Sequence, residues 1–129
     1  MSKTVKLSDG EWKLMTLLWE KAPRTITELV RALSGDTGWT KHTVITMLGR
    51  MEAKGAVRFE AGERARQYYP AVERRRAVLL ETESFLRRVY GGSLGLMINT
   101  MVRDKGLSEA ELQELYEILK EGEGKKDDR

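Results

Sequence analysis

The side chains best suited to engage another molecule lie between Gly38 and Tyr69, and they are binding groups rather than bond-making ones. The single histidine, His42, stands near Thr43, Ile45, Thr46, Gly49 and Arg50. At helical periodicity these residues lie on one face, opposite Val44, Met47, Leu48 and Met51. The outer face offers hydroxyls, one imidazole and one guanidinium, with no carboxylate among them. Such groups suit phosphate oxygens and base edges. Thr40 is a good N-cap, so the positive helix end over Thr40, Lys41, His42 and Thr43 can approach a phosphate. Arg50 can pair with a phosphate or a guanine edge, and Ile45 can touch a thymine methyl.

Other chemistries lack their parts. One histidine cannot build a metal site of two imidazoles and a carboxylate, and no Ser-His-Asp set can be named. Cysteine is absent, which removes disulfides, thiolate metal sites and thiol nucleophiles together. The carboxylates fall at cap positions and solvent faces, and the glycines act as helix stops and turn formers rather than as a phosphate-cradling loop. The expectation is a protein that is not an enzyme, with no catalytic residues, no metal and no cofactor.

Several elements must position the binding face. Ser8 and Glu11 form a capping box that starts a first helix, along which Trp12, Met15, Leu18 and Trp19 make an apolar stripe until Pro23. Thr25 and Ile26 suit an extended segment, Thr27 is the expected N-cap of a second helix with Leu29, Val30 and Leu33, and Ser34-Gly35 stops it. The third helix is expected over Lys41 to Lys54, with Gly55 supplying the left-handed residue that ends it. Ala56 to Glu60 and Arg66 to Pro70 then read as two strands around the turn Ala61-Gly62-Glu63-Arg64, with Arg58, Arg64 and Arg66 at or beside the tip. Helix, helix, helix, strand, strand is the order of a winged helix-turn-helix, whose third helix enters the major groove of double-stranded DNA. The competing reading is a winged domain that docks another protein without touching DNA; an apolar or acidic outer face would mark it.

Beyond Pro70 the chain reads as helical. Leu79, Phe85, Leu86, Val89 and Tyr90 recur before Gly91-Gly92; Leu94, Met97, Ile98 and Met101 fill a shorter apolar segment. A second capping box, Ser108 with Glu111, opens a last helix lined by Leu112, Leu115, Ile118 and Leu119. That much apolar surface argues for a homodimer, and hence for a palindromic operator, against the alternative of a small intrachain bundle. The fold class expected is mainly α with a small β-hairpin wing: a winged helix-turn-helix over residues 1–71, a helical dimerisation region over 72–122, and a charged flexible tail over 123–129 that begins where the last helix frays at Gly122.

Composition agrees with this division. The 129 residues are 40% hydrophobic and 33% charged with a net charge of +3, enough for one compact domain and an appendage. Residues 1–70 carry 12 Lys and Arg against 8 Asp and Glu, whereas 71–129 carry 11 against 12, so the basic excess lies in front. No run approaches the ~20 apolar residues of a membrane span, and the start, MSKTVKLSDGEW, lacks the apolar core of a secretory signal, so a cytoplasmic protein without membrane insertion is expected.

The segments LSDGEWKLMTLLWE, WTKHTVITMLGRMEAKG, FLRRVYGG and LSEAELQELYEIL together resemble the penicillinase-repressor family of bacterial transcription regulators, the BlaI/MecI group with the copper-responsive CopY repressors as relatives. The resemblance covers nearly the whole chain. It implies a homodimeric repressor on a dyad-symmetric operator, with the C-terminal helices making the dimer. In the β-lactam branch it also implies a membrane sensor protease that triggers cleavage in the segment matching Met97-Ile98-Asn99-Thr100-Met101. The scissile pair there is typically Asn-Phe, and Thr100-Met101 stands in its place, which argues against cleavage at that bond. The copper branch senses metal through a cysteine-rich motif that this chain lacks. The resistance repressors carry an arginine where Ile45 stands, which implies a changed base preference.

Overall fold

A computed structural model describes residues 5–124 and contains, in order, α1 (Asp9–Glu20), α2 (Ile26–Leu33), α3 (Lys41–Lys54), β1 (Val57–Ala61), β2 (Arg66–Pro70), α4 (Arg74–Tyr90), α5 (Leu94–Asn99), a π-type helix (Thr100–Gly106) and α6 (Glu109–Gly124). Two compact units share these elements, the first ending at Thr82 and the second beginning at Glu83.

In the first unit the apolar stripes meet. Leu14, Met15 and Leu18 of α1, Leu29 and Leu33 of α2, and Val44, Leu48 and Met51 of α3 are buried together with Ala56, Val57 and Tyr68. Trp12 and Trp19 lie at the edge of this core, half-buried and 5.8 Å apart. The Trp19 indole N–H donates to the Val72 carbonyl at 3.0 Å and so anchors the chain as it leaves the hairpin. The strands pair antiparallel with Val57 opposite Pro70 and Ala61 opposite Arg66.

The helix ends follow local hydrogen-bond chemistry, with one correction. The capping box at Ser8 forms as expected: Ser8 N–H donates to Glu11 at 2.9 Å and Glu11 N–H donates to the Ser8 hydroxyl at 3.2 Å. The second helix, however, is capped by Thr25 and not by Thr27. Glu28 decides this, because it stands three residues after Thr25 and accepts from Thr25 N–H at 2.7 Å, whereas a cap at Thr27 would find Val30 in that place. Thr25 itself is extended as expected, with φ −86° and ψ 166°, whereas Ile26 already begins the helix; the backbone of Arg24 exchanges hydrogen bonds of 3.2 and 2.9 Å with Tyr68 and adds a one-residue bridge to the wing. The hairpin turn also shifts by one residue. Ala61 pairs within β1, and Gly62 N–H donates to Ala65 at 3.0 Å. A β-carbon on Gly62 would run into that same Ala65 carbonyl, so glycine is required here.

Glu11 is the one buried charged residue of the described core. It accepts from Ser8 N–H and from the Lys54 ammonium, which also donates to the Lys6 carbonyl at 2.8 Å. The last side chain of α3 is thus tied to the first turn of α1. Burial pushes the Glu11 carboxyl upward, but the Lys54 hydrogen bond, the Ser8 N–H and the Lys54 charge outweigh it, and the net shift is downward from the usual carboxylate range. Gly55 follows with φ 84°, the left-handed residue expected.

The second unit has a different character: none of its described residues is buried. Tyr90 ends α4, and Gly91 and Gly92 take φ of 58° and 88° while their N–H groups donate back to Arg87 and Leu86. Ser93 caps α5, and Ser108 with Glu111 forms the second capping box. Ile98, Met101, Val102 and Leu107 face Leu115 and Ile118 of α6 across a narrow groove. The last helix does not fray at Gly122 but continues to Gly124, since Gly122 stays out of the left-handed conformation that would turn the chain. The rest of the expected tail, 125–129, lies outside the described residues.

The depressed Glu11 carboxyl sets the sign of a pH effect. Its stabilisation is present above the unfolded-state value of about 4.3 and is lost as pH falls through the lower folded-state value. Glu11→Gln should therefore cost about 1–3 kcal/mol near neutral pH, and the gap from the parent in urea unfolding should shrink as pH falls below about 4. A gap independent of pH would contradict the assignment.

Candidate nucleic-acid interface

Because Val44, Leu48 and Met51 are buried, the opposite side of α3 must face outward. Lys41, His42, Ile45, Thr46, Gly49 and Arg50 are exposed, and Thr43 is half-buried. Thr40 closes the helix start, its hydroxyl accepting from Thr43 N–H at 3.2 Å. The backbone N–H groups of Lys41 and His42 remain at the positive end of the helix.

The exposed residues separate onto two flanks. His42, Thr43, Thr46 and Arg50 line a shallow depression with Met47 of the same helix and with Ser8 and Gly10 at the start of α1. Lys41 lies on the other flank, in a groove shared with α2. Ile45 follows Lys41 by one helical turn and is 44% exposed. Arg50 makes no ion pair among the described residues, so its guanidinium is available to a ligand.

Gly10 and Trp39 were not singled out by their sequence, and both position α3. A β-carbon on Gly10 would come within 2.7 Å of the Met47 methyl and 3.0 Å of the Trp39 ring, so the bare glycine lets the start of α1 lie flush against α3 and the loop before it. The available signal was a glycine in the first turn of a capped helix, where propensity alone disfavours it.

In the hairpin the three arginines differ. Arg58 and Tyr69 are cross-strand partners on one face; the guanidinium lies 4.2 Å from the Tyr69 ring centroid and 3.0 Å from Glu60, which also accepts from the Tyr69 hydroxyl at 3.4 Å. Arg66 is on the other face, 4.1 Å from the centre of the Phe59 ring, which packs in turn on Tyr68. Only Arg64, in the turn, has neither a ring nor a carboxylate among the described residues. Thus the wing presents one unengaged cation at its tip and two whose charge is already shared with aromatic faces.

No group of three or more His, Asp or Glu able to hold a metal occurs among the described residues. No described helix is long and apolar enough to cross a membrane.

The division of the arginines has a stability signature. Arg58→Ala and Arg66→Ala should each lower unfolding stability by about 0.5–1 kcal/mol through the lost cation–π contact, while Arg64→Ala and Arg50→Ala should stay within about 0.5 kcal/mol of the parent. Equal losses at all four positions in thermal or urea unfolding would contradict it.

Known proteins share both the sequence and this geometry. The family model described as penicillinase repressor matches residues 7–121. A penicillinase repressor of Bacillus licheniformis is 32% identical over 126 residues, covering 98% of each chain. The methicillin resistance regulatory protein MecI of Staphylococcus aureus is 26% identical over 118 residues, covering 92% of this chain and 96% of its own. Among solved structures, the DNA-binding domain of the repressor BlaI superimposes with a TM-score of 0.52 at 30% identity, and the monomeric form of Bacillus licheniformis BlaI in complex with the blaP half-operator with 0.50 at 30%. Each of these two matches covers 57% of this chain and 90% of the other. Winged-helix architecture and a match along nearly the whole length converge: this chain belongs to the penicillinase repressor family, a family of transcriptional repressors and not of enzymes.

Proposed function

We propose that this protein represses transcription as a homodimer that places α3 of each copy in the major groove of a palindromic DNA operator. The observation that carries the reading is the outer face of α3: His42, Thr43, Thr46 and Arg50 are outward or half-exposed, Arg50 has no internal partner among the described residues, and no carboxylate interrupts the set. The half-operator complex of a 30% identical BlaI gives that face its ligand class. Arg64 serves as the phosphate contact of the wing, with Arg58 and Arg66 stiffening the hairpin that carries it. Thr40, Lys41 and Ile45 complete the helix surface, and Ile45 gives it an apolar contact for a thymine methyl.

In this reading residues 1–71 engage DNA and 72–122 join the copies, in the cytoplasm. Support for the dimer comes from apolar side chains that the second unit and the helix leading into it leave exposed. Leu79, Val89, Leu94 and Leu119 are each about half exposed or more, and Phe85, Met101 and Ile118 are also exposed. Leu86, Tyr90, Met97, Ile98, Leu112 and Leu115 are only half-buried. A lone chain would hold this surface in water at a cost near 25 cal/mol per Å². Tyr116, 63% exposed and lining one apolar edge of α6 with Leu112, Leu115 and Leu119, joins the candidate dimer residues. As for relief of repression, a membrane sensor protease would meet Asn99 at the end of α5 and Thr100 and Met101 in the π-type turn, with Thr100-Met101 at the bond in question. Co-production with such a protease should leave that bond intact, and a fragment ending at Thr100 in mass spectrometry would show the opposite.

Selection of bound duplexes from a random pool tests the central reading. The full chain should enrich a two-fold symmetric sequence with half-sites about one helical turn apart or a multiple of it. Arg50→Ala should weaken binding and either lower the salt slope by about 0.9, for a phosphate contact, or relax one base position, for a guanine contact. Enrichment of no palindrome, with capture of a protein partner by the same face, would favour the protein-docking alternative instead.

A further inference from the structure

Beside Lys41, a groove runs between α2 and the start of α3. It has a volume of about 340 Å³ and is lined by Thr27, Val30, Arg31, Ser34 and Lys41. Its walls are apolar at Val30 and along the side-chain stems, and two cations and two hydroxyls stand around them. The stretch from Thr27 to Lys41 contains only two carboxylates, and both are engaged elsewhere. Glu28 accepts from Thr25 N–H at 2.7 Å, and Asp36 is held at 2.8 Å by Lys13 of α1. Arg31 and Lys41 therefore make no ion pair among the described residues, although they flank the same groove. The Ser34 hydroxyl donates to the Arg31 carbonyl at 2.9 Å, which pins the end of α2 and leaves the hydroxyl oxygen able to accept.

Resting on the DNA-binding reading above, we propose that this groove seats one phosphodiester of the operator backbone, with its deoxyribose against Val30 and its phosphate between Arg31 and Lys41. Charge complementarity names the occupant: two cations without an ion pair among the described residues flank an apolar wall at Val30, and a sugar-phosphate unit presents one anionic and one largely apolar part. The site is sequence-blind. Its work is to fix the height and tilt at which α3 enters the groove, which makes Arg31 a positioning residue outside the set of base-reading groups.

The test uses the full chain and a duplex recovered from the random-pool selection. Arg31→Ala should lower the slope of log K against log salt by about 0.9 without changing the base preference, and Arg31→Lys, which keeps the charge, should retain the slope. Phosphate-ethylation interference should show one blocked position per half-site that loses its sensitivity in Arg31→Ala. Since Arg31 is exposed and has no ion pair to lose, unfolding stability should be unchanged. An unchanged salt slope with ordinary duplex binding by the parent would overturn the groove alone, as would a change of base preference in Arg31→Ala. A parent chain that enriches no duplex would overturn both the groove and the reading it rests on.

Discussion

An amphipathic helix buries its apolar side alone, and the structure of the first unit depends on which side of α3 is buried. Val44, Leu48 and Met51 enter a core built from α1, α2 and the base of the hairpin, so the opposite residues have nowhere to go but outward. The choice is reinforced at both ends. Thr40 caps the start, and Lys54 at the finish donates to the buried Glu11, itself the reciprocal partner in the Ser8 cap of α1. A single carboxylate therefore joins the beginning of the first helix to the end of the third. Gly10 closes the other contact by allowing Trp39 and Met47 to approach the first turn of α1. A face held by apolar packing, a cap and an ion pair presents its polar groups in a defined geometry before any ligand arrives, and pre-organisation of that kind lowers the entropic cost of binding.

In the first unit, several cations of the helices and wing differ in whether they have an internal partner. Lys13, Lys54 and Arg58 each have a carboxylate, and Arg66 lies on the Phe59 ring. Arg31, Lys41, Arg50 and Arg64 do not have a carboxylate among the described residues. Those four stand on α2, at the start of α3, on its outer face and at the wing turn, the elements that a winged helix directs at a duplex. A net charge of +3 is a weak signal, and the basic excess lies in residues 1–70.

Most of the architecture was legible because local chemistry and hydrophobic period agree along the chain. The capping boxes at Ser8 and Ser108, the third helix from Lys41 to Lys54 and its glycine stop all follow from residues close in sequence. Misplaced details arise where two local signals compete. Thr25 and Thr27 both suit a cap, and the carboxylate of Glu28 selects the first. The turn moved by one residue because Ala61 gains a ladder partner in Arg66. Contacts distant in sequence were not legible at all: the Lys54 bond to Glu11, the approach of Trp39 to Gly10 and the stacking of Arg58 and Arg66 require the fold. For the same reason three wing arginines that look equivalent in the sequence divide into one without a ring or carboxylate contact among the described residues and two that lie on aromatic rings.

The second unit completes the account by what it leaves uncovered. Two of its helices, α5 and α6, are capped by Ser93 and Ser108, yet no described residue in it is buried, so local stability is supplied without a core. A second copy supplies that core in the proposed assembly, and two-fold symmetry carries over to the DNA. Protection of guanine N7 from dimethyl sulfate tests the central claim most directly, because that atom lies in the major groove. The account predicts two protected patches, related by the dyad of a selected duplex and centred about one helical turn apart or a multiple of it. Bound duplex with no major-groove protection would contradict it.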